Sequence, residues 1–199
     1  AFVLNQGARE TLTARKSAYA MASGIIVCLG SDISSDCDDY ETITTLFQNG
    51  LDERTVPVAL GGSTIAGFPM SRTLTTTDPL EVGDAYGNAY VLQPGASLHL
   101  ERSRQQSRHD KKDGLRQTEG DFATAWLSHG KRPDGASYHY TIVPGADAQL
   151  VQRLLSEDPD YTIRRQDRQA HIIEDSLTRS TAIVAFEGGL LNHELIHAI

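Results

Sequence analysis

No apolar run in these 199 residues approaches the ~18 needed to span a bilayer as a helix, so no membrane partner is expected. The opening stretch, AFVLNQGARE, has neither the basic start nor the apolar core of a signal peptide, and it carries no initiating Met. The closing residues, HELIHAI, stop on an apolar run with no cap or polar tail. Both ends read as cut from something longer. No Ser stands in G-x-S-x-G, and neither a P-loop nor a dinucleotide fingerprint is present, so these motifs point to no nucleotide or cofactor. Cysteine is scarce: Cys28 and Cys37 are the only two and say little about redox compartment. Cys28, inside GIIVCLG, reads as a small core residue, and Cys37, among Asp36, Asp38 and Asp39, reads as part of a loop. A disulfide between them stays open, because nothing fixes the geometry. Positive charge is also in deficit. A net charge of −8 argues against a nucleic-acid partner.

What remains is an ordinary globular composition, 39 % hydrophobic and 22 % charged, of a length suited to one domain. Strand signals dominate. SAYAM and IIVCL flank ASG as a hairpin, and Gly87-Asn88 between DAY and AYVL predicts a two-residue turn. SLHLERS alternates. In SYHYTIV, Tyr138, Tyr140 and Ile142 share one face while His139, Thr141 and Val143 share the other. YTIRRQDRQAHIIED predicts two strands about a polar turn, and TAIVAFEGG another. One helix is expected near residues 148 to 156, capped by Asp147, with Leu150, Val151, Leu154 and Leu155 as its apolar stripe. The fold class that follows is all-β, an antiparallel β-sandwich with one short helix. No repeat, low-complexity tract or Pro-rich linker divides the chain.

Two features carry chemical signals. His193-Glu194-Leu195-Ile196-His197 matches H-E-x-x-H, which on a helix offers two imidazoles to zinc and a carboxylate to a water. A zinc peptidase also needs a third protein ligand. The chain stops two residues after His197, and no other His or acid stands in a recognisable partner motif, so a chance match is the better reading and no metal is expected. The remaining histidines, His129 among them, read as structural. Six of the 18 Lys and Arg fall between Arg102 and Arg116. That run is either a solvated strand end or a cationic patch facing an anionic ligand.

Longer stretches bear a family resemblance. LTARKSAYAMASGIIVCLGSDISSDCDDYETITTLFQNG is similar to the central β-domain of polysaccharide lyase family 8, the chondroitin and hyaluronan lyases. In that family a TAKKS strand leads to an apolar strand ending in LGS-I, then a polar loop, then a TTLFQ strand. RQTEGDFATAWLSHGKRPDGASYHYTIVP resembles the family's TEG-F…W…H…RP…ASY-Y segment. The motifs stand in the same order from about Leu12 to Phe186, and the chondroitin ABC lyases in particular look alike.

The resemblance implies a super-sandwich β-domain spanning residues 1–199, truncated at both ends, and a secreted or periplasmic enzyme. Such an enzyme would cut chondroitin or dermatan sulfate, or hyaluronan, by β-elimination at a uronic acid. It further implies a partner domain, an N-terminal helical toroid bearing the His, Tyr, Arg and usually Asn of the reaction. That domain is absent here, so the isolated chain should be catalytically silent. In the family the β-domain adds one acid, in a strand written VETTLFQ. Aligned through TTLFQ, that position holds Ile43, and Glu41 stands two residues earlier. Glu41 is the catalytic candidate if the strand is bulged or its pairing shifted; otherwise it is an exposed strand-start residue and the site is impaired. Arg102, Arg104 and Arg108 are the candidates for binding the anionic polysaccharide. The alternative is a carbohydrate-binding or scaffolding β-domain without catalysis.

Overall fold

The computed structural model describes residues 1–6, 11–107, 117–156 and 159–188, together with the backbone of 190–191 and 194–195. The chain runs β1 (Phe2–Gln6), β2 (Leu12–Ala20), β3 (Ile26–Ser35), β4 (Ile43–Gly50), β5 (Val58–Leu60), β6 (Ser63–Ile65), β7 (Met70–Thr75), β8 (Leu80–Gly83) and β9 (Ala89–Leu92). There follow β10 (Ser97–Gln106), β11 (Glu119–Ser128), β12 (Ala136–Val143), α1 (Ala148–Leu155), β13 (Tyr161–Gln166), β14 (Ala170–Asp175) and β15 (Ser180–Ala185), then the short pair β16 (Leu190–Leu191) and β17 (Glu194–Leu195). A large eight-stranded sheet has the order β1-β2-β3-β12-β9-β8-β5-β6, a short sheet the order β4-β11-β10-β7, and a third sheet the order β13-β14-β15. Every pairing is antiparallel.

Strand alternation builds two cores. Leu98 and Leu100 of β10, with Ala123, Ala125 and Leu127 of β11, pack on Val82, Tyr90, Leu92 and Tyr140 of the large sheet. On its opposite face the large sheet presents Tyr19, Val27, Leu29, Val91 and Val143 to Val151 and Leu154 of α1 and to Tyr161 and Ile173 of the third sheet. The large sheet is therefore the middle of three layers. This is why IIVCL and AYVL are near-continuous apolar runs: a strand covered on both sides has no face to leave polar. The two faces of β12 separate as its alternation predicts, Tyr138 and Tyr140 toward the first core and Val143 toward the second.

Helix α1 starts where expected. The Asp147 carboxylate accepts from the backbone N–H of Gln149 (2.9 Å) and Leu150 (3.0 Å), satisfying donors that a first turn leaves open. The expected two-residue turn at Gly87-Asn88 is longer. Gly83 pairs with Ala89, leaving Asp84–Asn88 as the loop. Asp84 accepts from the backbone N–H of Tyr86 (2.8 Å) and Asn88 (2.9 Å) and from Asn88 Nδ2 (2.9 Å); a side chain that replaces ladder bonds in this way organises a wider turn.

His171 ties the third sheet to the large one. Its Nδ1 lies 2.6 Å from Ser17 Oγ and its Nε2 2.8 Å from Ser31 Oγ, while Tyr19 OH donates to its carbonyl at 3.0 Å. Burial pushes the imidazole down to about 4, so it is neutral at pH 7. Cys28 and Cys37 are both free and buried. No helix among the described residues is long and apolar enough to cross a membrane.

Candidate functional site

β4 is the edge strand of the short sheet, and beyond it the large sheet continues to β2 and β1. The rim of the core shows in one cross-strand pair: Cys28 on β3 is buried, and its partner Ala18 on β2 is exposed. One row of paired residues along this overhang reads Phe2, Lys16, Gly30, Tyr138 on β1, β2, β3 and β12. Gly30 leaves the room that this row needs. A Cβ there would stand 2.1 Å from Tyr138 Cε1, so the tyrosine ring lies across the glycine. The Lys16 ammonium is 5.8 Å from the centre of the Tyr138 ring and 6.0 Å from that of Phe2, within the range of cation–π attraction. Burial lowers its pKa below the ordinary lysine value.

Two hollows flank Tyr138. The larger, about 470 Å³, lies against β4 and is lined by Lys16, Ile43, Thr44, Thr45, Tyr138 and Tyr140 among others. The smaller, about 280 Å³, is bounded by Pro94, Leu127, Ser128, His129, Tyr138 and Gln166 among others. Gln166 Nε2 donates to the carbonyls of Gly30 (2.9 Å) and Tyr138 (2.8 Å), holding the backbone under both. His129 Nε2 lies 2.9 Å from Thr44 Oγ1, and its ring stacks on Tyr138 at 6.1 Å. Burial, and then the charge of Lys16, push its pKa down. Burial likewise pushes the Tyr138 and Tyr140 phenols far up, so neither ionises at neutral pH.

Glu41 stands just before β4. Its Oε2 accepts from Ser128 Oγ at 2.9 Å, and Ser128 Oγ also accepts from the Gly130 N–H at 3.2 Å. The strand that follows is bulged. Ala125 pairs with Phe47 and Trp126 with Thr45, so Leu46 is the extra residue. That bulge changes the phase of the strand. Ile43, 46 % exposed, and Thr45 turn to solvent, whereas Phe47 and Asn49 of the same parity are buried. A bulge is therefore present, but it lies downstream of Ile43 and leaves Glu41 beside Ser128 rather than carrying it into the position of Ile43.

The arginine patch needs correction. Arg102 is 0 % exposed, and its guanidinium donates to three carbonyls, those of Gly67 (2.6 Å), Arg54 (2.7 Å) and Val56 (2.5 Å). It shares the inward face of β10 with Leu98 and Leu100, so it clamps loops instead of presenting its charge to solvent. Arg104 is exposed but already paired with Glu119 and Asp121. Arg108 lies outside the described residues. Glu41, Arg102 and Arg104 are thus not brought to one site. In their place the overhang presents Lys16, Tyr138 and His129. The available sequence signal was Gly30, since a glycine inside an apolar strand marks a close approach.

For H-E-x-x-H, His193 and His197 fall outside the described residues. The backbone of Glu194–Leu195 is a short strand paired with Leu190–Leu191, not a helix. Among the described residues no group of three or more His, Cys, Asp or Glu is placed to hold a metal.

The family model for the polysaccharide lyase family 8 super-sandwich domain matches residues 1–155. The chain belongs to this family. It is 29 % identical over 191 residues to the chondroitin sulfate ABC endolyase of Proteus vulgaris, covering 94 % of this chain and 18 % of that protein. It is 34 % identical over 188 residues to the chondroitin sulfate ABC exolyase of Bacteroides thetaiotaomicron, covering 91 % of this chain and 17 % of that one. Among solved structures, the xanthan lyase of Paenibacillus shares the fold with a TM-score of 0.75 at 21 % identity, over 92 % of this chain and 19 % of its own. This family 8 chain therefore spans less than a fifth of each of these proteins.

Proposed function

We propose that this chain is the β-sandwich portion of a longer, secreted or periplasmic lyase. That enzyme would cleave chondroitin or dermatan sulfate, or hyaluronan, by β-elimination, together with a helical toroid domain preceding this one. Family membership and the activities named for the curated relatives support the reading. β-Elimination requires a base for the C5 proton of the uronate, neutralisation of its carboxylate, and an acid for the departing oxygen. The observation that carries a catalytic role for the β-domain is the Glu41 carboxylate. Ser128 holds it at the start of β4, two residues before the strand position where the resemblance places the family's acid.

The test is Glu41→Gln in the full-length enzyme, following the absorbance of the unsaturated product. Loss of such an electrostatic partner lowers kcat by ~10²–10³-fold with a smaller change in KM, because the interaction is strongest in the transition state. Unchanged turnover on chondroitin would dismiss the assignment. The exposure of Ile43, an apolar side chain at the acid's aligned position, favours the second reading, a carbohydrate-binding or scaffolding domain. Under that reading the full-length protein binds the polymer without turning it over.

A further inference from the structure

Acids outnumber bases in this chain by 26 to 18, and most of its described arginines are tied to carboxylates. Arg15 lies beside Asp32, Arg54 beside Asp121, Arg132 beside Asp38, Arg153 beside Asp160, and Arg168 beside Glu187. Lys16 is a different case. It is half-buried, desolvation alone accounts for its lowered pKa, and no carboxylate among the described residues pairs with it. Removing an ammonium from water without a counter-ion is unfavourable. The aromatic faces of Phe2 and Tyr138, 6.0 and 5.8 Å from the head group, offset part of that cost, and all three residues line the hollow.

The hollow itself is suited to a glycan. Its volume of about 470 Å³ falls in the ~300–1,000 Å³ range of small-molecule sites. Thr44, Thr45 and Tyr138 line it together with Lys16, so polar and aromatic residues border one space. Ile43 lines it as well, so the hollow opens beside the start of β4.

We propose that this hollow is an anion subsite in which Lys16 takes a carboxylate or sulfate group of an acidic glycan, seated between Tyr138 and the Ile43–Thr45 edge. Lys16 is here a binding residue, and the choice of an acidic glycan rests on the function proposed above. A carboxylate or a sulfate ester would complete the same ion pair. The aromatic brackets fix where that pair forms, which a solvated surface lysine would not.

The experiment is calorimetric titration of the full-length protein and its Lys16→Gln and Lys16→Arg variants. The three probes are a hyaluronan tetrasaccharide, a chondroitin 4-sulfate tetrasaccharide and neutral chitotetraose. Lys16→Gln is expected to weaken an anionic tetrasaccharide tenfold or more, Lys16→Arg to restore most of the affinity, and chitotetraose to be indifferent to either change. Equal losses for both anionic probes identify the uronate carboxylate; a loss confined to the sulfated probe identifies the sulfate. Circular dichroism on each variant checks the fold, and recovery in Lys16→Arg separates lost charge from lost packing. Unchanged affinity of Lys16→Gln for both anionic probes overturns the proposal, and so does an equal loss for chitotetraose. Lys16-dependent binding in a protein without lyase activity would overturn the catalytic reading and leave the subsite standing. Normal turnover with Lys16-independent binding would do the reverse.

Discussion

Gly30 and Tyr138 face each other across β3 and β12 with no space for another carbon: a Cβ on Gly30 would lie 2.1 Å from Cε1 of the tyrosine. The glycine is not held in a left-handed conformation, so the constraint is steric. The ring also packs against His129, with centres 6.1 Å apart, and Tyr140, at 5.5 Å, so moving it disturbs both contacts.

Gly30→Ala is therefore expected to destabilise the chain by about 1–3 kcal/mol, the usual cost of overpacking a filled site, and to displace Tyr138 from Lys16. Urea unfolding measures the first effect. An unchanged midpoint would mean that the ring is not held across the glycine.

The two arginines of β10 should behave oppositely. Arg102→Leu removes the shared donor of three loop carbonyls, at a cost of about 1–3 kcal/mol. Arg104→Ala removes only exposed ion pairs and should hardly move the unfolding midpoint. Neither is expected to weaken polysaccharide binding selectively. A folded Arg102→Leu protein of wild-type stability that had lost binding would restore the arginine to a recognition role.

Acid should loosen the joint between the large and third sheets. His171 is held near a pKa of about 4 by burial, against ~6.5 in an unfolded chain. Between those values the unfolded state binds the extra proton, so stability is complete above pH 6.5 and falls as the pH drops toward 4. His139, half-buried beside the Tyr161 hydroxyl and also pushed down to about 4 by desolvation, acts in the same direction. The urea midpoint should decline between pH 7 and pH 4.5, and less steeply in His171→Asn. A flat profile across this window would show that neither imidazole is held neutral.

His193 and His197 are expected to hold no stoichiometric zinc. H-E-x-x-H offers both imidazoles to one ion when it is helical, and the Glu194–Leu195 backbone is a strand. Elemental analysis of purified protein checks this. Near-unit zinc that disappears in His193→Ala would revive the peptidase reading.

Much of the site's framework was legible in the chain because it depends on local periodicity. The alternation of SYHYTIV assigned the two faces of β12 before any partner strand was known, since successive side chains on a strand must point to opposite sides. The helix and its Asp147 cap followed from spacing for the same reason. The position of Arg102 was legible too: Leu98, Leu100 and Arg102 keep one parity, and the pairing of β10 with β11 obeys it. Reading the neighbouring basic residues as a patch let charge override a face that the period had already assigned.

The rest was settled by contacts between residues distant in sequence. Leu46 is bulged because β11 pairs with β4 on either side of it, and this one extra residue turns Ile43 and Thr45 outward while Phe47 stays inside. Lys16 faces a hollow only because the short sheet ends at β4 while the large sheet continues to β1. Strand periodicity in the sequence determined which side of its own strand each residue occupies. Which strands form an edge, and therefore whether such a side is core, rim or site, was decided by tertiary pairing, because the hydrogen bonds that close a sheet join segments whose order along the chain does not encode their order in space.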